Sequence, residues 1–265
     1  MRIVIKVGTS TLAHAGGRMN IRRVELLCKV LSDLKNAGNQ IVLVSSGAIG
    51  MGVGKLGLQG RPEDMPGKQA AAAIGQCELM YTYDKLFAQY NHTVAQILLT
   101  ADDIQDRRHS SYVHDTLERL LQWGVLPVVN ENDAVAIDEI GIHTTIGEND
   151  TLSAIVAKLI NADLLVLLSD IDGLYTADPH ADPDATLIPV VERITPEILA
   201  LAGGAGTALG SGGMATKLKA AQIAMDAGID MVIMNGENPE QLYALSDGKP
   251  IGTRFMGRIK EHDYA

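Results

Sequence analysis

Residues 1–10 read Met-Arg-Ile-Val-Ile-Lys-Val-Gly-Thr-Ser. The apolar run predicts a β-strand, and Lys6 sits near its end. Desolvating an unpaired ammonium in such a strand costs several kcal/mol. Lys6 therefore either faces an anion or snorkels to solvent from a sheet edge. Gly8 would let a backbone come close to that anion, and Thr9 and Ser10 offer N–H and hydroxyl donors. A second cation lies at the far end of the chain, in Gly210-Ser211-Gly212-Gly213-Met214-Ala215-Thr216-Lys217. Met214, Leu218, Ala221 and Met225 recur at helical spacing, so a helix begins near Met214 and Lys217 falls in its first turn. A cation there opposes the helix dipole by about 0.3–1 kcal/mol. A phosphate held between the glycine-rich loop and Lys217 reverses that penalty. The order of a Walker A loop is absent.

Between these ends lie two loops rich in carboxylates and amides. One is Asn130-Glu131-Asn132-Asp133, the other Gly147-Glu148-Asn149-Asp150 at the start of a helix. Helix capping accounts for one of Asn149 and Asp150. The remaining Asn amides suit both the ammonium and the carboxylate of an amino acid, and an Asp can pair with a substrate ammonium. Ser45-Ser46-Gly47 opens another helix, either as a nest of N–H groups for an anion or as an ordinary capped turn. Ser169-Asp170-Ile171-Asp172 follows a strand and suits a nucleotide contact or a solvated acidic loop. It lacks the glycine and terminal glutamate of a calcium loop. A formal G-x-G-x-x-G at Gly52, Gly54 and Gly57 starts well beyond its strand and contains Lys55, so it is not a dinucleotide fingerprint.

These loops need a frame to position them. Strands are expected at 2–7, 40–44, 93–99, 125–129, 163–168 and 230–234. Helices are expected at 20–37, 66–90, 110–123, 150–161, 214–227 and 239–245, and a short hairpin over 134–146. Alternation of this kind predicts an α/β sandwich with a mainly parallel sheet, whose ligands bind at the carboxyl ends of the strands.

The 265 residues are 46% apolar and 20% charged, with a net charge of −10 and no basic run. Nucleic-acid binding is therefore not expected. No apolar run reaches the roughly 18–20 residues of a membrane span, and a strand directly after Met1 leaves no room for a signal peptide. Cys28 and Cys77 form no C-x-x-C pair, and Cys28 reads as a buried small hydrophobe, so the reading is cytoplasmic. The seven histidines show no metal-ligand spacing, and no protein metal site is expected.

Six segments in order, 5–10, 44–49, 129–135, 147–154, 173–179 and 210–217, resemble the amino acid kinase family. The resemblance implies an αβα sandwich over 1–256, with an acid-binding lobe to about 160, an ATP-binding lobe from about 161, and a tail at 257–265. It implies that Lys6 and Lys217 contact the ATP phosphates and that Asp150 holds the two lysines in place. Gly8, Thr9, Ser169, Asp170 and the segment Ser211, Gly212, Gly213, Met214, Ala215, Thr216 and Lys217 would bind ATP. Ser46, Gly47, Asn130, Asp133 and Asn149 would bind the acid. Within the family the single Gly-Thr-Ser points to the branch that phosphorylates the side-chain carboxylate of L-glutamate, the first step of proline biosynthesis. That branch implies Mg2+ carried mainly on ATP, feedback inhibition by L-proline, and a homo-oligomer, either dimer or tetramer. Many of its members carry a C-terminal PUA domain, which is not expected here. A carboxylate of pKa about 4.3 is ionised at neutral pH, so the reaction needs no general base. A sibling kinase acting on acetylglutamate or another small acid, and a nucleotide sensor without catalysis, are the competing readings.

Overall fold

The computed structural model describes residues 1–14, 17–135, 148–179, 181–203 and 213–257. Eight strands are described: β1 (Arg2–Val7), β2 (Gln40–Ser45), β3 (Val94–Leu99), β4 (Leu126–Glu131), β5 (Leu164–Ser169), β6 (Val190–Val191), β7 (Asp230–Asn235) and β8 (Thr253–Phe255). They form one sheet in the order β3-β4-β2-β1-β5-β7-β8-β6. The first six in that order run parallel, and β8 pairs antiparallel with β7. The expected mainly parallel sheet is present, and its six long strands fall within two residues of their expected bounds. β6 and β8 had no expectation, because two and three residues are too few for a periodic signal.

Helices cover both faces. α1 (Thr9–Leu12), α2 (Ile21–Asn36), α3 (Ala48–Leu56), α4 (Met65–Ala88), α5 (Ala101–Gln105), α6 (Arg107–Gln122), α7 (Asn149–Leu159), α8 (Pro196–Ala200), α9 (Met214–Asp226) and α10 (Gln241–Ser246) are described. One core joins Leu27 and Leu31 of α2, Leu79 and Tyr83 of α4 and Leu242 of α10 to Ile3, Ile5 and Val7 of β1. The other joins Leu117 of α6, Leu152 and Val156 of α7 and Leu218 and Ala221 of α9 to Val4. Side chains alternate along a strand, so Lys6 shares the α7–α9 face with Val4. β1 leads towards β2, and β5 leads the other way towards β7. The connections part at β1 and β5, where a parallel α/β sheet opens its ligand crevice.

The glycines at 52 and 54 serve close packing, and the one at 57 serves a turn. A Cβ at Gly52 would stand 1.9 Å from the Ala71 carbonyl oxygen, and one at Gly75 would stand 1.7 Å from that of Ala48. α3 and α4 therefore cross at backbone contact. A Cβ at Gly54 would meet the Gly17 carbonyl oxygen at 2.6 Å, and Gly57 ends α3 at φ 66°. Cys28 is buried, as expected, and its thiol pKa is pushed far up by burial. No described helix is long and apolar enough to cross a membrane. The expected hairpin lies, beyond Val135, outside the described residues.

Candidate active site

The carboxyl ends of β4, β2, β1, β5 and β7 lie side by side. Lys6 is level with Val44 of β2 and Leu167 of β5. Its ammonium lies 2.6 Å from Asp150 Oδ1. Lys217 Nζ lies 3.2 Å from Asp150 Oδ2, and the Thr216 hydroxyl donates to the same oxygen at 2.9 Å. Asp150 is 1% exposed and Lys217 is 6% exposed. Burial alone would raise the Asp150 pKa, but the two lysines and Thr216 outweigh it and hold the carboxyl below the ordinary 3.8. Two ammoniums converge on this one carboxylate, with the Glu148 carboxyl also within reach of all three charges. Asp150 sits in the first turn of α7, where the helix dipole favours a negative charge. Lys217 sits in the first turn of α9, where the dipole opposes it, and Asp150 offsets that cost. The helix beginning at Met214 and the placing of Lys217 agree with the sequence.

Capping does not account for Asn149 or Asp150. The N-cap of α7 is Glu148, and no side-chain cap bond forms. Asp150 is occupied by the lysines, and Asn149 Nδ2 points across the sheet to Ser46 Oγ at 2.9 Å and Asn130 Oδ1 at 3.0 Å. Asn130, 1% exposed, accepts from the Glu131 backbone N–H at 2.9 Å and donates to Gln76 Oε1 at 2.9 Å. Asp133 lies beyond the end of β4 and lines a cleft of about 480 Å³ with Asn132, Gln76, Gln96 and Ala48. Of the proposed acid-binding residues, Ser46 and Asn130 thus both meet Asn149, and Asp133 lines a cleft reached from Asn130 through Gln76.

Two glycines differ in what they contribute. Gly47 caps α3 at φ 102°, a left-handed conformation that other residues adopt only with strain. Gly8 has an extended φ of −84° that any residue can adopt. A Cβ there would lie 3.6 Å from Lys6 Nζ, so its missing side chain keeps the space over that ammonium clear. Thr9 opens the short helix α1 directly after it.

On the other side of β1, Ser169 ends β5 and donates to Asp170 Oδ1 at 3.1 Å. The Gly236 N–H donates to the Ser169 carbonyl at 2.7 Å, which ties the ends of β5 and β7 together. Gly213 caps α9, and Met214, Ala215 and Thr216 form its first residues. Ser211 and Gly212 lie outside the described residues.

Sequence reasoning missed Gln76 and Glu148. Gln76 sits in an alanine-rich stretch of α4 with no local signal. Glu148 Oε2 is buried without a hydrogen-bond partner among the described residues. Burial raises the pKa of its carboxyl and the nearby Asp150 charge adds to this, against the Thr216 hydroxyl and the lysines.

Residues 1–235 match the Amino acid kinase family. The chain is 53% identical over 260 residues to the glutamate 5-kinase of Clostridium perfringens, covering 98% of this chain and 97% of that protein. It is 50% identical over 263 residues to the glutamate 5-kinase of Listeria monocytogenes, covering 99% and 95%. Carbamate kinase from Giardia lamblia bound to AMP-PNP superposes with a TM-score of 0.67 at 19% identity, over 97% of this chain and 98% of that one. Isopentenyl phosphate kinase from T. acidophilum gives 0.66 at 20% identity, over 96% and 100%. These two structures share the fold. The chain belongs to the amino acid kinase family and, within it, to the glutamate 5-kinases.

Proposed function

We propose that the Lys6–Asp150–Lys217 cluster carries the phosphoryl transfer of a glutamate 5-kinase and that the amide cluster beside it holds the acid. The activity is transfer of the ATP γ-phosphoryl group to the side-chain carboxylate of L-glutamate, giving L-glutamyl 5-phosphate and ADP, the first step of proline biosynthesis. A carboxylate oxygen attacks phosphorus and the bond from phosphorus to the ADP oxygen breaks. The nucleophile is already ionised, so no base is needed. The obstacle is the repulsion of two anions, and the observation that carries the reading is two ammoniums, Lys217 buried and Lys6 nearly so, held by one carboxylate. Preorganised cations of this kind stabilise the charge that builds on the transferring group.

In this reading the N-terminal lobe, to about residue 160, binds glutamate through Ser46, Gly47, Asn130, Asp133 and Asn149. The C-terminal lobe binds ATP through Ser169, Asp170 and the segment from Ser211 to Lys217, with Lys6, Gly8 and Thr9 between the two. The residues fit Mg2+ as an ion carried by the ATP phosphates. Among the described residues no three carboxylate, His or Cys groups gather to hold a metal, and both Asp150 oxygens face lysines. When bound with ATP, the ion neutralises phosphate charge. The family resemblance supports a homo-oligomer, and two free cysteines suit a cytoplasmic setting.

The test of this function is ADP release from ATP and Mg2+ with L-glutamate, with N-acetyl-L-glutamate, and with no acid. Only L-glutamate should support rapid release. L-Proline shares the α-carboxylate and α-nitrogen of glutamate but lacks its side-chain carboxylate. It should inhibit competitively, with saturation curves that converge at high glutamate. Release supported equally by the acetylated acid contradicts the assignment, and a proline effect confined to kcat places the inhibitor outside the glutamate site.

Asp133→Asn tests the placing of the lobes. It removes a charge partner for the substrate ammonium and touches nothing at the phosphates. The KM for glutamate should rise by about ten-fold or more while the KM for ATP stays near wild type. A fall in ATP affinity with an unchanged glutamate KM would reverse the lobes.

A further inference from the structure

A relay of amides runs from the sheet edge to the acid-binding cluster. Gln76 Nε2 donates to Gln96 Oε1 at 3.2 Å, and Asn130 Nδ2 donates to Gln76 Oε1 at 2.9 Å. Asn130 Oδ1 accepts from the Glu131 backbone N–H at 2.9 Å and from Asn149 Nδ2 at 3.0 Å. A backbone N–H can only donate, so Glu131 fixes which end of the Asn130 amide is oxygen. Gln76 holds the other end of the same amide from α4. Asn149 must then turn its Nδ2 towards Asn130 and Ser46. Its Oδ1 is left at the end of the relay, buried, with no hydrogen-bond partner among the described residues.

A buried acceptor with no donor is unfavourable, and it favours a ligand that brings an N–H. Gln76, at the other end of the relay, lines the cleft that carries the Asp133 carboxylate, which suits a positive nitrogen. We propose that Gln76 is a positioning residue for the amino group of the substrate. Together with the Glu131 N–H it holds the Asn130 amide, and so Asn149, with the Asn149 oxygen free for the ligand, so the site selects an α-amino acid over the same dicarboxylic acid without nitrogen. This rests on the reading of the cluster as the glutamate site. Gln76 is 9% exposed and lies on α4, away from the phosphate end, so its effect belongs to acid binding.

The experiment compares wild type, Gln76→Leu and Gln76→Glu. The readouts are the KM and kcat for L-glutamate, the inhibition constant of glutarate against glutamate, and the unfolding temperature. Gln76→Leu removes the acceptor for Asn130 at similar bulk. The glutamate KM should rise by about ten-fold, with kcat and the glutarate constant within about two-fold of wild type. Gln76→Glu keeps an acceptor towards Asn130 and should bring the glutamate KM back near wild type. An unchanged KM in Gln76→Leu overturns the proposal. So do a glutamate KM and a glutarate constant that move together, the mark of a merely loosened pocket. Where glutarate binds too weakly to inhibit the wild type, rescue by Gln76→Glu decides. Wild-type enzyme that releases no ADP with glutamate would instead defeat the underlying reading of the site.

Discussion

Lys217→Ala should lower kcat by about 10²–10³-fold while the KM for L-glutamate stays within about three-fold of wild type. Lys217 is buried in the first turn of α9, its ammonium 3.2 Å from Asp150 Oδ2, and in the proposed reaction it faces the ATP phosphates. Its charge is disfavoured there by the helix dipole, so the position makes physical sense only with anions nearby. Asp150 is one such anion, and in the proposed reaction the transferring phosphoryl group is the other. With alanine at 217, Asp150 keeps Lys6 and Thr216, so the fold should survive and the loss should be kinetic. Steady-state kinetics with circular dichroism as a control measures this. A folded variant with near-normal kcat would remove Lys217 from the chemistry.

Asp150→Asn should cost both stability and rate. The substitution keeps the shape but leaves two ammoniums, with side chains 11% and 7% exposed, facing a neutral amide. Removing one partner of a buried ion pair typically costs about 3–5 kcal/mol. The expected drop in kcat is at least about a hundred-fold, because both lysines lose the group that aims them. The pH dependence has a definite sign. The folded-state pKa of Asp150 is lowered, so its contribution is present above the ordinary 3.8 and is lost as pH falls below it. Wild-type stability should therefore fall in acid with a component that Asp150→Asn lacks. Urea unfolding of both proteins, at neutral pH and in acid, measures the difference. Equal stability at neutral pH would show that the lysines do not depend on Asp150.

The long strands and the helix that carries Lys217 were legible because each leaves a local mark. β1 is an apolar run interrupted by one lysine, and α9 announces its start through Met214, Leu218, Ala221 and Met225. That Lys6 and Lys217 meet on one carboxylate is a non-local fact, suggested in the sequence by the family resemblance alone. Gln76 had no mark, since its partner Asn130 lies 54 residues away and nothing in its own stretch of α4, just after the alanines at 70–73, singles it out. The capping expectation at 149–150 failed because side-chain partners from β1, β2, β4 and α9 outcompete the local backbone. Gly52 and Gly75 became intelligible only once α3 was seen lying against α4, and Gly54 once the Gly17 backbone was seen against it.

The central claim is that this site transfers phosphoryl to a carboxylate, making an acyl phosphate. Hydroxylamine tests it directly: its nitrogen attacks the acyl carbon, phosphate leaves, and a stable hydroxamate forms. With ATP, Mg2+, L-glutamate and hydroxylamine, the wild-type protein should form glutamyl 5-hydroxamate in step with ADP, and Lys217→Ala should form both far more slowly. ADP released without any hydroxamate would contradict the account.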